Sequence, residues 1–149
     1  MSDKTLEASA KIQISKSPAE VFEAIVNPDK MSNYFIADSN GRLEESKELI
    51  WHFPEFKDDC PVRSSKITKN EFVSFYWGPD EDETLVEISL TEKNGGTVVS
   101  VAEKSKENNE AGIKWLRGNT EGWANFLACM KAYLEYGINL RKGAFDFMK

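Results

Sequence analysis

Apolar and polar residues alternate at period two over residues 11–15, 85–91 and 97–102, and recur at helical spacing from Trp123 onward. The first pattern is that of half-buried strands and the second that of an amphipathic helix. Residues 36–102 read as β throughout. Residues 49–53 form an apolar run broken by Pro54, residues 63–68 are polar and alternating, and residues 71–77 are aromatic and β-prone. Gly78-Pro79-Asp80 and Asn94-Gly95-Gly96 are turn signals, so the strands form an antiparallel meander. Ahead of it, Ser17-Pro18-Ala19-Glu20 opens a helix: Ser17 caps, Pro18 suits the first turn and Glu20 returns a bond to the cap. Val21, Phe22 and Ile25 form its apolar face, Asn27-Pro28 ends it, and residues 29–34 make a second short helical turn.

After the strands, charged residues 104–110 read as a loop and residues 111–117 as a helical turn carrying Ile113, Trp115 and Leu116. Gly118-Asn119-Thr120-Glu121 reads as a break, with Asn119 or Thr120 capping a long final helix. Trp123, Phe126, Leu127, Met130, Tyr133, Leu134 and Ile138 then form one stripe, with Asn125, Lys131 and Glu135 opposite and Gly137 or Gly143 as the end. The expected fold class is α+β: a curved antiparallel sheet around a long C-terminal helix, with two short helices after the first strand. No repeat or linker interrupts residues 1–149, which read as one domain.

Charge narrows the partners. There are 19 basic and 25 acidic side chains, for a net charge of −6, which repels phosphate backbones and anionic lipid. Nucleic acid is therefore not an expected partner. No apolar run reaches the ~20 residues that span a bilayer, and no basic-then-apolar leader opens the chain. Cys60 and Cys129 read as reduced thiols of a cytoplasmic protein. One histidine and no Cys-x-x-Cys give no zinc motif, so no metal or cofactor is expected.

The motifs in order are Ile12-x-Ile14, Ser17-Pro18-x-x-Val21-Phe22-x-Ala24-Ile25, Asn27-Pro28, Leu85-Val86-x-Ile88-x-Leu90, Gly95-Gly96-Thr97, and Gly122-Trp123 with Leu127 and Tyr133-Leu134. Together they resemble the helix-grip fold of the START-like (SRPBCC) superfamily, and within it the family named for the activator of the heat-shock-protein-90 ATPase. Asn40-Gly41-Arg42, Tyr34-Phe35 and residues 51–61 depart from that family's usual pattern. The resemblance implies a helix gripped by a curved sheet. It also implies three kinds of activity: binding of lipids or other apolar molecules, co-chaperone-like protein contacts, and catalysis in a cavity by a few members.

Alternation sets Leu49, Trp51 and Phe53 on one face of a strand and Val73, Phe75 and Trp77 on one face of another, with Trp123, Phe126, Leu127 and Met130 opposite. With Val86, Ile88, Val99 and Val101, these line either an apolar ligand cavity or a filled core. Glu103 follows Val99 and Val101 at period two and points inward with them. There it would orient a ligand or move a proton. An exposed residue at a strand end is the commoner arrangement and the one expected.

His52 falls on the face opposite Trp51, towards solvent, and as a general base would need a nucleophile or an orienting carboxylate nearby. Tyr34, Tyr76 and Tyr133 read as core aromatics with their hydroxyls at the surface. The acidic run of residues 80–83 lacks calcium-loop spacing and reads as a hairpin tip, and Asp58-Asp59 is read the same way. Acidic neighbours of Cys60 argue against a nucleophile, and Cys129 reads as packing. Gly118-x-x-x-Gly122 does not match a phosphate loop. Phe145 and Phe147 either fold back onto the domain or offer a partner contact, such as a homodimer through the C-terminal tail. The leading reading is a non-catalytic module for a hydrophobic small molecule or lipid. A protein-interaction domain and a cavity enzyme using Glu103 or a tyrosine are the alternatives.

Overall fold

The alternation becomes one seven-stranded antiparallel sheet in the computed structural model, which describes residues 4–149 apart from the side chain of Asp80. The readings that touch residues 1–3 and Asp80 lie outside the described residues to that extent. In chain order the elements are β1 (Thr5–Ile14), α1 (Pro18–Val26), α2 (Pro28–Met31), β2 (Asp38–Ser39), β3 (Glu48–His52), β4 (Cys60–Thr68), β5 (Phe72–Trp77), β6 (Thr84–Lys93), β7 (Gly96–Glu107) and α3 (Glu110–Tyr136), with short 3-10 turns at Asp80–Asp82 and Asp146–Met148. The strand order is β1-β7-β6-β5-β4-β3-β2, so the first strand closes the sheet beside the last.

The long helix touches one end of the sheet directly and the other through Phe35, in the loop after α2. On β1, Gln13 O accepts from Lys131 Nζ of α3 at 2.8 Å. Towards the far edge, Phe35 is 5.9 Å from Trp51 of β3 and 6.0 Å from Trp123 of α3, ring centre to ring centre. Phe126, Leu127 and Met130 are buried against Val86, Ile88, Val99 and Val101, all at 0–1% exposure. At ~25 cal/mol per Å² of apolar surface, burial of this kind is the main stabilising contribution to the fold.

The first helix forms as its sequence indicates. Glu20 N–H donates to Ser17 Oγ at 3.2 Å, and the Ser17 hydroxyl donates to Glu20 Oε1 at 3.3 Å. The second helix spans Pro28–Met31 rather than residues 29–34: Asn27 caps it, accepting from Asp29 N–H at 2.9 Å, and it ends three residues sooner.

Further boundaries differ from the expectation. β1 begins at Thr5 rather than Lys11, and β7 runs through residues 104–107, which the charge pattern marked as a loop. The two extensions pair with each other, Thr5 with Glu107 and Glu7 with Lys104. Pairing satisfies their backbone groups while Lys104 Nζ meets Glu87 at 2.8 Å, so charge does not end the strand. The helix expected from residue 119 or 120 instead begins at Glu110 and continues unbroken through Gly118 and Gly122. Asn109 is its cap, accepting from Gly112 N–H at 2.8 Å. A Cβ on Gly112 would lie 2.0 Å from the Glu107 carbonyl, so this tight strand-to-helix turn requires glycine. Gly137, at φ 65°, ends α3, and Ile138 therefore leaves the apolar stripe and stands 52% exposed.

Candidate ligand-binding site

At one end of the helix–sheet interface the packing stops. A cavity of about 780 Å³ opens there. Phe35 and Phe53 form one wall, Trp77 and Trp123 the floor, and Phe56 and Phe145 lie at the rim. Cys60, Pro61, Gly78 and Pro79 complete the sheet side, and Arg141 and Met148 bring the C-terminal segment across the opening. Gly118 and Gly122 form the helix side. Four residues apart, they share one face of α3, and a Cβ on either would meet no heavy atom within 4 Å. Each glycine costs the helix interior ~1 kcal/mol relative to alanine, and here that cost leaves open space.

The floor is held from behind. Glu103 is 1% exposed and lies within β7, not at its end, which corrects the expectation of an exposed strand terminus. Its Oε2 accepts from Trp77 Nε1 at 2.9 Å and from the Thr84 hydroxyl at 2.5 Å. Its Oε1 accepts from Trp123 Nε1 at 2.8 Å and from Asn119 Nδ2 at 2.7 Å. Both oxygens are thereby saturated by donors from β5, β6 and α3. The two indole N–H groups are turned away from the cavity, and the rings stack at a tilt with centres 5.4 Å apart. Asn119 is thus a partner of Glu103 rather than a helix cap.

Arg141 closes the tail over the opening. Its guanidinium bonds Glu55 at 2.6 Å, where Glu55 is 3% exposed at the side chain. It lies 5.7 Å from the ring centres of Phe35 and Phe53 and 4.9 Å from that of Phe145. Arg141 Nε is buried with no hydrogen-bond partner.

Phe53, Trp77 and Trp123 of the anticipated lining therefore face the cavity. Trp51, Phe75, Val86, Ile88, Val99, Val101, Phe126, Leu127 and Met130 lie in the packed core beside it, and Glu103 lies beneath its floor. Sequence reading missed Phe35, Phe56, Gly118, Gly122, Arg141 and Phe145 as lining. The one available signal was a pair of glycines at helical spacing inside an otherwise helical pattern.

The other singled-out residues are quieter. His52 points outward and is gripped at 2.6 Å by Asp38 on Nδ1 and at 2.6 Å by Asp59 on Nε2. These hydrogen bonds, that of Asp38 first, raise its pKa above the usual histidine value. Asp59 belongs to the cavity rim as well, so Asp58-Asp59 is more than a solvated tip. In the acidic run, Glu83 bonds Arg63 at 2.7 Å. Tyr34 is fully buried, and its hydroxyl donates to Ala24 O at 2.9 Å instead of reaching the surface. Burial raises the pKa of both the Cys60 and the Cys129 thiols, the opposite of what a nucleophile needs. Phe145 folds back, whereas Phe147 stands 82% exposed. Among the described residues, no group of three or more His, Cys, Asp and Glu could hold a metal, and no helix is long and apolar enough to cross a membrane.

A seven-stranded sheet gripping one long helix, with an aromatic cavity at the helix's N-terminal half, defines a helix-grip protein. Residues 15–135 match the family model described as Activator of Hsp90 ATPase homolog 1-like protein, and the chain belongs to that family. A search of curated proteins gives no match. Among solved structures, the protein SSP2350 from Staphylococcus saprophyticus is similar at 30% identity over 89% of this chain and 94% of that one, with a TM-score of 0.79. The Aha1 dimer from Colwellia psychrerythraea shares the fold at 18% identity, 89% and 98% coverage and a TM-score of 0.76. CalU16 from Micromonospora echinospora does so at 14% identity, 90% and 84% coverage and a TM-score of 0.68.

Proposed function

We propose that the protein is a non-catalytic binding module that takes up a hydrophobic small molecule or lipid at the open end of its helix–sheet interface. The observation that carries this reading is the 780 Å³ space left by Gly118 and Gly122 opposite Phe35, Phe53 and Trp77. Its size is that of small-molecule sites, and its walls are mostly apolar with few polar groups. Burial of ligand area at ~25 cal/mol per Å² supplies the affinity. The turned-away indole N–H groups favour an apolar contact surface.

Native mass spectrometry of the purified protein, followed by extraction, identifies any copurifying molecule. Trp77 and Trp123 in the floor make intrinsic fluorescence a second readout. Uptake that is lost in Gly118→Leu supports the reading. Identical uptake by wild type and Gly118→Leu, or none of a broad apolar panel by wild type, rejects it.

A second reading, a protein-interaction domain, rests on Tyr136, Ile138, Leu140, Phe147 and Met148, which expose apolar surface at and beyond the end of α3. One relative of this fold is a dimer by its description. Sedimentation equilibrium of wild type against Phe147→Asp separates a tail-mediated homodimer from a monomer.

A further inference from the structure

The uncompensated charges around the cavity are of one sign. Asp58 and Asp59 stand at its rim, Asp59 bonded to His52 at 2.6 Å and Asp58 with no ion pair among the described residues. Glu103 lies directly behind both tryptophans of the floor. The guanidinium at the opening, that of Arg141, is already matched by Glu55 at 2.6 Å. Among the described lining residues, none offers an uncompensated cation. An anionic head group entering this space would lose hydration and meet only the unpartnered Nε of Arg141, whose charge Glu55 already neutralises.

The aromatic walls point the same way. A ring face attracts cations through its quadrupole. The negative oxygens of Glu103 behind the indole N–H groups strengthen that potential on the cavity side. The protein itself supplies the demonstration: the Arg141 guanidinium sits 4.9 Å from the Phe145 ring centre and 5.7 Å from those of Phe35 and Phe53. This aromatic cluster holds a cation when one is tethered beside it.

We propose that the occupant is an organic cation, an apolar body carrying an ammonium or amidinium group, rather than a fatty acid or an anionic lipid. This rests on the cavity being a ligand site and specifies the charge of what enters it. The apolar body lies along Gly118 and Gly122, and the cationic group lies between the tryptophan floor and the Asp58–Asp59 rim. Arg141 with Glu55 contributes no net charge and does not oppose it.

The test titrates the protein with three probes sharing a ten-carbon chain, decyltrimethylammonium, decyl maltoside and decanoate, each below its micelle concentration. Tryptophan fluorescence and calorimetry are the readouts. The ammonium probe is expected to bind about tenfold more tightly than decanoate at low salt, a gap that narrows as salt screens the rim. Asp58→Lys, at an exposed position, is expected to remove most of the gap between the ammonium probe and decanoate. Equal affinity for all three probes overturns the charge preference and leaves the binding module standing. Tighter decanoate binding also overturns it and assigns Arg141 as an anion receiver. No binding of any probe, with Gly118→Leu indistinguishable from wild type, overturns the cavity reading together with this inference.

Discussion

One helix covers one sheet, yet its two halves meet that sheet differently. In the C-terminal half, Phe126, Leu127 and Met130 fill the space to Val86, Ile88, Val99 and Val101, and every one of these is at most 1% exposed. In the N-terminal half, Gly118 and Gly122 present no side chain, and the space remains open to Phe35, Phe53 and Trp77. The backbone frame is common to both halves. Whether it encloses a core or a cavity is decided by which side chains the helix carries towards the sheet.

The largest expected effect breaks the packed half. Phe126→Ala should cost ~3–5 kcal/mol in denaturant unfolding, the transfer loss plus the cavity left behind. A loss below ~1.5 kcal/mol would mean that this half is as loosely filled as the other. Next comes the boundary between the halves, Glu103. Glu103→Gln replaces one saturated oxygen with an amide that cannot accept, leaving the indole N–H of Trp77 or of Trp123 without a partner. About 2 kcal/mol of stability should be lost, with a change in tryptophan emission as the indoles are freed. Unchanged emission would show that Glu103 does not set the floor.

Gly122→Ala sharpens the comparison because its two consequences have opposite signs. Helix propensity should raise stability by ~1 kcal/mol, while the added methyl group narrows the cavity and weakens ligand uptake. A stabilised variant with undiminished uptake would place the ligand elsewhere.

The smallest effect concerns His52 beside the rim. Its folded pKa is raised by Asp38 and Asp59. Its contribution is therefore fully present below the unfolded value of about 6.5 and fades as pH rises through the folded value. Thermal melts of wild type and His52→Gln should differ most at about pH 5.5 and converge at alkaline pH. A gap that widens with pH would contradict the bonding to both carboxylates.

Much of the fold was legible because short-range rules determine it. Ser17-Pro18 starts α1, Asn94-Gly95 turns the hairpin between β6 and β7, and period two puts Val99, Val101 and Glu103 on one face, as the burial of β7 bears out. Element ends were less legible. Residues 104–107 are strand only because residues 5–7, nearly a hundred positions away, pair with them. The helix passes through Gly118 and Gly122 because its packed C-terminal half and its contact with β1 outweigh two unfavourable propensities.

The cavity was the least legible feature. Phe53 and Phe75, or Trp123 and Phe126, occupy equivalent positions in their local patterns, and period alone cannot separate wall from core. Alternation and helical spacing determined which side chains point inward, since those directions follow from backbone geometry within a few residues. Only the tertiary structure decided which of them meet a partner across the interface and which face open space. That depends on the sizes of side chains brought together from strands, helix and tail across the length of the chain.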